Sequence, residues 1–233
     1  VNMENGQAEL FEVLLRMWDD GNAITLPSRF LPVAERFGLM LDIDRWVIRN
    51  AAKALAKFRD GGVDVKFCVN LSAHAFEDSQ LVTYVADNLD ENGLPADCLV
   101  LEITEQTAIR YLDDANERMQ ELIGMGCSFA LDDFGAGFSS LTYIKRLPVD
   151  YIKIEGSFIV NLSKDPIDQA MVKSIIDIAR TTGKRTIAEC VQDAKSLQML
   201  RKFGVDYVQG FHVGKPAPTL VLPGSQRINR LRA

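Results

Sequence analysis

Carboxylate and amide side chains close a series of short apolar runs along this chain. They are Glu12, Asn70, Glu102, Asp132, Asp133 and Glu189, with Lys153 among them. Buried carboxylates are costly without partners, so polar groups at the ends of so many apolar runs are expected to converge on one site. Oxygen ligands favour Mg²⁺ or Mn²⁺ over zinc. The sequence therefore predicts a divalent-metal site, whose chemistry depends on nearby Glu155 and Gln192.

The most specific stretch runs from Asp132 to Ser140. Adjacent aspartates at a strand end can bind two metals, or one metal and a water molecule. Gly135 and Gly137 let the backbone turn tightly and approach a ligand. A double Asp before such glycines, with a helix after them, favours phosphate and metal chemistry over an ordinary loop.

Strand parity predicts which polar side chains share a face. Glu12 and Arg16 share one face, where they would bind a metal and a phosphate or form a structural ion pair. Lys153 and Glu155 share a face of another strand. Lys153 could have a structural role there, or it could stabilise a phosphorane-like transition state or orient a water molecule. Glu105 is as compatible with capping a helix or bracing a loop as with ligation.

The elements that must position these residues alternate between strand and helix. The predicted strands are Leu10–Arg16, Val65–Leu71, Leu99–Thr104, Ser128–Asp132, Tyr151–Glu155, Arg185–Val191 and Tyr207–Val213. The predicted helices are Pro27–Phe37, Asp42–Arg59, Ala73–Asn92, Leu112–Met125, Ser139–Lys145, Pro166–Thr182 and Ala194–Phe203. Repeated strand–helix units imply parallel pairing.

The placement of the polar residues favours a closed barrel over an open doubly wound sheet. Barrel active sites collect at the carboxyl ends of many strands, whereas an open sheet concentrates them at one switch point. Nearly every predicted strand here ends in a candidate ligand. The sequence therefore predicts an α/β fold with a closed barrel of alternating strands and helices.

Composition and charge narrow the class of protein further. The chain has 233 residues, of which 47% are hydrophobic, enough to bury a sizeable core in one domain. A net charge of −6 argues against a DNA or RNA polymer as partner. No apolar stretch has the length of a membrane span. We expect a cytoplasmic domain that is a fragment of a longer protein, because the chain starts at Val1 rather than Met, and the missing part could tether it to a membrane.

The cysteines and histidines predict no site of their own. Cys68, Cys98, Cys127 and Cys190 are far apart in sequence and are expected to be reduced and mostly buried. His74 and His212 have no partner His at metal-ligand spacing, and we expect them to be structural.

Seven motifs, in order, resemble those of the EAL domain family, the bacterial cyclic di-GMP phosphodiesterases and receptors. The chain resembles the family's E-A-L-x-R at Glu12–Arg16, N-L-S at Asn70–Ser72 and E-[LI]-T-E at Glu102–Glu105. It resembles D-D-F-G-T-G-Y-S-S-L at Asp132–Leu141, K-I-D at Lys153–Glu155 and A-E-G-V-E at Ala188–Gln192. The last motif, Q-G-[YF] followed by K-P, is matched at Gln209–Pro216. The resemblance covers nearly the whole chain. It implies one EAL domain over residues 1–233, with the family's modified TIM-like (β/α)₈ barrel as its core at about 8–218 and a tail at 219–233.

The resemblance also implies roles for these residues in hydrolysing cyclic di-GMP to linear pGpG. Glu12, Asn70, Glu102 and Asp132 would bind one Mg²⁺ or Mn²⁺, and Asp132, Asp133 and Glu189 a second, with Glu155 beside them. Lys153 would position the attacking water, and Glu189 and Gln209 would act beside the metals. Glu105 would brace the loop Asp133–Ser139, and Arg16 would hold a phosphate. Ca²⁺ is expected to inhibit.

Three departures from the family pattern leave a second function open. Glu155 replaces an Asp, and Gln192 replaces a Glu. Only Val1–Glu9 precede the Glu12 motif, so the chain is expected to lack an opening strand and to expose a sheet edge. The alternatives are a catalytically weak receptor for cyclic di-GMP and a scaffold that binds neither metal nor nucleotide. The resemblance further implies a homodimer and GGDEF, PAS or other sensor domains in the full-length protein.

Overall fold

The computed structural model describes residues 1–18, 21, 23–110, 112–136 and 144–218, with the backbone alone for 112–116. The strands are β1 Leu10–Glu12, β2 Met17–Trp18, β3 Ile24–Thr25, β4 Lys66–Asn70, β5 Leu99–Thr104, β6 Ser128–Phe134, β7 Tyr151–Ile154, β8 Arg185–Ala188 and β9 Tyr207–Val208. The α-helices are α1 Pro27–Arg36, α2 Met40–Asp60, α3 Leu81–Glu91, α4 Glu105–Arg110, α5 Leu112–Met125, α6 Gly156–Val160, α7 Pro166–Thr181 and α8 Ala194–Phe203. Short 3₁₀ helices lie at Ala73–Glu77 and Ala96–Cys98.

Contacts divide the described chain into two compact units. One contains residues 1–10, 104–110, 129–136 and 144–218, and we call it the lysine unit because it holds Lys153. The other contains residues 11–18, 21, 23–103 and 112–128, and we call it the asparagine unit because it holds Asn70.

The lysine unit is built on parallel strands in the order β6, β7, β8, β9. All four residues of β7 are buried, as expected for a parallel strand that is covered on both faces. Asp165 and Asp193 cap the amino ends of α7 and α8 by accepting backbone hydrogen bonds. Gly204, with φ of +81°, ends α8 in the left-handed conformation that favours glycine.

The first residues of the chain also belong to the lysine unit. Asn2 forms an antiparallel bridge with Tyr207, and the amino group of Val1 donates a 2.7 Å hydrogen bond to the Val208 oxygen. The Val208 amide donates back to the Val1 oxygen at 2.9 Å. The expectation of an open edge is therefore wrong for β9, because Val1–Met3 cover that side of it.

In the asparagine unit, β1, β4 and β5 are neighbours in that order, and β4 pairs in parallel with β5. Helix α2 buries Val47, Ile48, Ala51 and Leu55 on one stripe, the spacing of a single helix face. A small antiparallel ladder joins Met17 to Thr25 and Trp18 to Ile24.

Several predicted boundaries differ from the structure. The predicted strand Leu10–Arg16 ends at Glu12, and its last residues lead into β2. The predicted helix Ala73–Asn92 is a 3₁₀ turn followed by α3, because the Asp78 carboxylate accepts a hydrogen bond from the Gln80 amide between them. The predicted helix Ser139–Lys145 lies mostly outside the described residues.

Candidate functional site

Three carboxylates form a cluster at the carboxyl ends of strands in the lysine unit. Asp132 and Asp133 lie near the end of β6, and Glu189 follows β8 directly. One oxygen of each lies within 4.8 Å of the others. Three carboxylate oxygens at this separation make a donor set that fits Mg²⁺ or Mn²⁺.

A break in the register of β6 explains how two adjacent aspartates join one cluster. Successive side chains of a regular strand point to opposite faces. Here the pairing of β6 with β7 shifts between Leu131 and Phe134, and Asp133 has a φ of +55°. Bulges of this kind re-aim side chains beside functional sites. The bulge therefore allows Asp132 and Asp133 to contribute to the same cluster.

Lys153 provides the positive charge next to the cluster. Its Nζ lies 3.0 Å from Asp132 Oδ1 and 2.9 Å from Glu189 Oε1, and its side chain is 1% exposed. A buried ammonium is tolerated when it is paired in this way. The lysine thus links the carboxylate at the end of β6 to the one after β8.

A hydrogen bond between Glu105 and Gly135 joins the start of α4 to the backbone that follows β6. The Gly135 amide donates a 3.0 Å hydrogen bond to Glu105 Oε2. Glu105 is buried at the first residue of α4. The contact restrains the backbone just after the Asp132–Asp133 pair. Residues 137–139 of the predicted loop lie outside the described residues.

The asparagine unit brings together the other predicted ligands. Asn70 Nδ2 donates a 3.1 Å hydrogen bond to Glu12 Oε1. Asn70 and Glu102 are direct neighbours in the register of β4 and β5. Glu102 is 1% exposed, as expected for an acid inside a buried strand. These three residues therefore meet at the ends of neighbouring strands.

Asp44 is a buried acid in the asparagine unit that the sequence analysis missed. It accepts hydrogen bonds from the Ser72 amide at 3.1 Å and the Ser72 hydroxyl at 2.5 Å. Burial raises the pKa of Asp44 to about 6, and the bonds from Ser72 and the charge of His74 oppose the rise. Asp44 precedes Val47, Ile48 and Ala51 by the spacing of one helix face, so it lies on the apolar stripe of α2. An acid within that apolar pattern is the sequence signal that could have identified Asp44.

Two predicted site residues, Arg16 and Glu155, occupy positions other than those expected. Arg16 lies beyond the end of β1, and its guanidinium donates to the Leu15 oxygen at 2.7 Å. Glu155 follows β7 and caps α6, with Oε1 3.4 Å from the Ser157 amide. Strand parity therefore gives no support to the pairing of Glu12 with Arg16 or of Lys153 with Glu155, because each strand ends before the second residue of the pair.

Gln209 lies beside the cluster through its backbone. Its amide donates to the Ala188 oxygen at 2.8 Å, and its oxygen accepts from the Val191 amide at 3.0 Å. Both bonds flank Glu189. Gln192 is exposed two residues past Cys190, and its side chain has no described role in the cluster.

The cysteines and histidines differ in exposure. Cys68, Cys98 and Cys127 are buried, whereas Cys190 is exposed and has a φ of +52°. Burial raises the pKa of the Cys98 thiol to about 11 and that of Cys127 to about 12. His74, which is 43% exposed, lines two surface cavities of about 300 and 320 Å³, so it is not a core residue.

Comparisons with known proteins identify what this arrangement is similar to. The family model described as EAL domain matches residues 1–216. The chain is 39% identical over 214 residues to the cyclic di-GMP phosphodiesterase PdeB of Shewanella oneidensis. It is 38% identical over 215 residues to MucR of Pseudomonas aeruginosa, a bifunctional diguanylate cyclase and cyclic di-GMP phosphodiesterase. These matches cover 92% of this chain but 25% and 31% of the two relatives.

Solved structures agree with these sequence matches. The PaMucR phosphodiesterase in complex with c-di-GMP has a TM-score of 0.84 at 38% identity, covering 89% of this chain and 84% of that chain. The FimX EAL domain of Pseudomonas aeruginosa bound to c-di-GMP has a TM-score of 0.84 at 32% identity, covering 91% and 85%. The prediction of an α/β, TIM-like fold of the EAL type is confirmed by these likenesses. No helix among the described residues is both long and apolar enough to cross a membrane.

Proposed function

The chain belongs to the EAL domain family, and we propose on that basis that it hydrolyses one phosphodiester bond of cyclic di-GMP to give linear pGpG. The observation that carries this proposal is the cluster of Asp132, Asp133 and Glu189 with Lys153 bound to two of its carboxylates. Relatives named as cyclic di-GMP phosphodiesterases support the choice of substrate.

We propose that this cluster holds a divalent ion, Mg²⁺ or Mn²⁺. We also propose Glu12, Asn70 and Glu102, in the asparagine unit, as candidate ligands of a divalent ion. A divalent ion bound by such residues supplies positive charge to a phosphate and acidifies a bound water. Ca²⁺ prefers more ligands and longer bonds than Mg²⁺, so we propose that it binds without supporting turnover.

The protein's own residues would orient the reacting groups. Lys153 pairs with the Asp132 and Glu189 carboxylates, so it would fix the orientation of both groups beside an ion. Its ammonium would also stabilise negative charge that develops on the phosphate. We propose that Glu105 acts through Gly135 and that Gln209 acts through the backbone beside Glu189. Arg16 remains a candidate for phosphate binding.

Product analysis with a matched pair of variants tests the proposal. We expect the wild-type protein with Mn²⁺ to convert cyclic di-GMP to pGpG, identified by chromatography and mass spectrometry. Glu12→Gln should abolish turnover, because an amide replaces a carboxylate ligand. Glu117→Gln makes the same chemical change at an exposed residue of α5 and should leave turnover unchanged. Absence of pGpG with enzyme in excess over substrate, in either Mg²⁺ or Mn²⁺, would refute the activity.

A second candidate function is a cyclic di-GMP receptor with weak or no turnover. Its support is the position of Glu155, which caps α6 instead of joining the carboxylate cluster. Calorimetry that shows binding of cyclic di-GMP without product would select this function. If Glu155 and Gln192 limit turnover, the double change Glu155→Asp with Gln192→Glu should raise it sharply.

The remaining proposals concern the assembled protein. The chain spans about a quarter to a third of the curated relatives that it matches. We propose that GGDEF, PAS or other sensor domains accompany it in a longer cytoplasmic protein, and that it forms a homodimer. Size-exclusion chromatography with light scattering tests the dimer.

A further inference from the structure

Helix α6 contacts both backbone segments that carry the carboxylate cluster. Phe158 packs on Gly135, two residues after Asp133, and Gly156 packs on Cys190, next to Glu189. We propose that Phe158 is a positioning residue, whose ring fixes the backbone that aims Asp132 and Asp133. The proposal rests on the proposed function only in assigning a divalent ion to the cluster.

The contact between Phe158 and Gly135 is close enough to restrain the backbone. A Cβ built on Gly135 would lie 2.7 Å from Phe158 Cε2 and 3.6 Å from Ile175 Cδ1. The ring therefore lies against the glycine backbone itself. Gly135 has a φ of +100°, and its amide donates to Glu105. The residue is thus held between an aromatic ring and a buried carboxylate.

The restraint matters because the preceding backbone is unfavourable by itself. Asp133 has a positive φ, and the register of β6 is broken at the same place. Such a conformation persists only where its surroundings over-determine it. The Phe134 oxygen accepts a 3.3 Å hydrogen bond from the Glu155 amide, so α6 reaches this backbone at a second point. Loss of the ring should let Asp132 and Asp133 move apart.

Glu155 sets the direction of α6 and thereby of Phe158. Its carboxylate caps the helix at the Ser157 amide, and its carbonyl accepts a 3.2 Å hydrogen bond from the Phe158 amide. Glu155 would therefore act on the cluster through α6 and not as a metal ligand. A cap and a ligand respond differently to substitution, because an amide can replace a carboxylate as a cap.

Mn²⁺ binding, measured without substrate by electron paramagnetic resonance of the free ion, tests the proposal. We expect Phe158→Leu to weaken Mn²⁺ binding by about tenfold, the low end of the effect of losing an outer partner of a metal site. Phe158→Met keeps an apolar side chain that reaches in the same direction but not the flat, rigid ring, and it should weaken binding in the same direction. Ile159→Val is the matched control, because Ile159 is buried on the same helix. This substitution should lower thermal stability without changing Mn²⁺ affinity.

Each outcome decides between positioning and another role. Equal Mn²⁺ affinity in Phe158→Leu, Phe158→Met and Ile159→Val would overturn the proposal. For Glu155, the proposal requires Glu155→Gln to keep wild-type affinity and Glu155→Ala to lose it. Equal losses in both would make Glu155 a ligand. Mn²⁺ binding without hydrolysis would sink only the proposed activity, whereas absence of Mn²⁺ binding by the wild type would sink both.

Discussion

Replacing Asp44 with Asn tests how a buried acid in the asparagine unit sets the pH dependence of stability. Asp44 is 5% exposed and accepts two hydrogen bonds from Ser72. In Asp44→Asn, the amide oxygen can still accept from the Ser72 amide, and the NH₂ group can donate to the Ser72 hydroxyl. The substitution therefore removes the ionisable group and keeps the geometry.

The sign and size of the effect follow from the pKa. Asp44 has a pKa of about 6 in the folded chain, above its ordinary value of 3.8. The wild type therefore has its full stability from this group below pH 3.8 and loses it as pH rises through 6. A rise of this size corresponds to about 3 kcal/mol. Above pH 7 we expect Asp44→Asn to be more stable than the wild type by up to about 3 kcal/mol.

Urea unfolding followed by circular dichroism between pH 4 and 8 measures this difference. Subtracting the wild-type curve from the variant curve cancels the other titrating groups. Asp42→Asn, at an exposed position in the first turn of the same helix, controls for the loss of a negative charge. A difference between Asp44→Asn and wild type that stays flat from pH 4 to pH 7 would refute the reasoning.

Three further substitutions test the neighbourhood of the carboxylate cluster. Lys153→Met should lower the free energy of unfolding by about 3–5 kcal/mol without metal, because it removes the buried ammonium that pairs with the Asp132 and Glu189 carboxylates. Mn²⁺ should raise the melting temperature more in this variant than in the wild type, because the added cation would replace the lost positive charge. Cys190→Gly should raise the free energy of unfolding by about 1 kcal/mol, because it relieves a left-handed backbone. Gly156→Ala should lower the free energy of unfolding by about 1–3 kcal/mol, because the new Cβ would lie 2.5 Å from Cys190 Sγ. The same substitution should lower it by less in a chain that also carries Cys190→Gly.

Controls separate these effects from general destabilisation. Lys173→Met removes a lysine from an exposed position of α7 and should leave the response to Mn²⁺ at the wild-type level. Equal Mn²⁺ responses in Lys153→Met and wild type would contradict the electrostatic argument. Additive effects of Gly156→Ala and Cys190→Gly on the free energy of unfolding would contradict the steric argument, since the clash needs both the methyl group added at position 156 and the Cys190 side chain.

Local sequence patterns predicted the elements best where one segment determines its own structure. The bounds of β5, α5 and α8 agree with the predicted ones, because an apolar run, a helical spacing or a capping Asp193 and Gly204 define them. The break after the 3₁₀ helix Ala73–Glu77 depends on Asp78, whose carboxylate is held by Arg45, 33 residues away. That partner exists only in the folded chain, so periodicity could not indicate the break.

In the candidate site, too, local patterns predicted some features, and others depend on contacts that form only in the folded chain. Residue types and spacing were sufficient to select Asp132, Asp133 and Glu189. They could not show that a bulge turns both aspartates toward Glu189, because parity in a regular strand predicts the opposite. Nor could they show that β7 ends before Glu155, which makes this residue a helix cap.

The contrast among the four cysteines gives the protein a built-in attachment point for a probe. Reagents attack the thiolate, and burial with a raised pKa keeps Cys98 and Cys127 in the unreactive thiol form at neutral pH. Cys68 is buried as well, whereas Cys190 is exposed and directly follows Glu189. A maleimide fluorophore or nitroxide added to the unaltered chain should therefore attach at Cys190, beside the carboxylate cluster, where a change in its signal on addition of Mn²⁺ would test whether an ion binds.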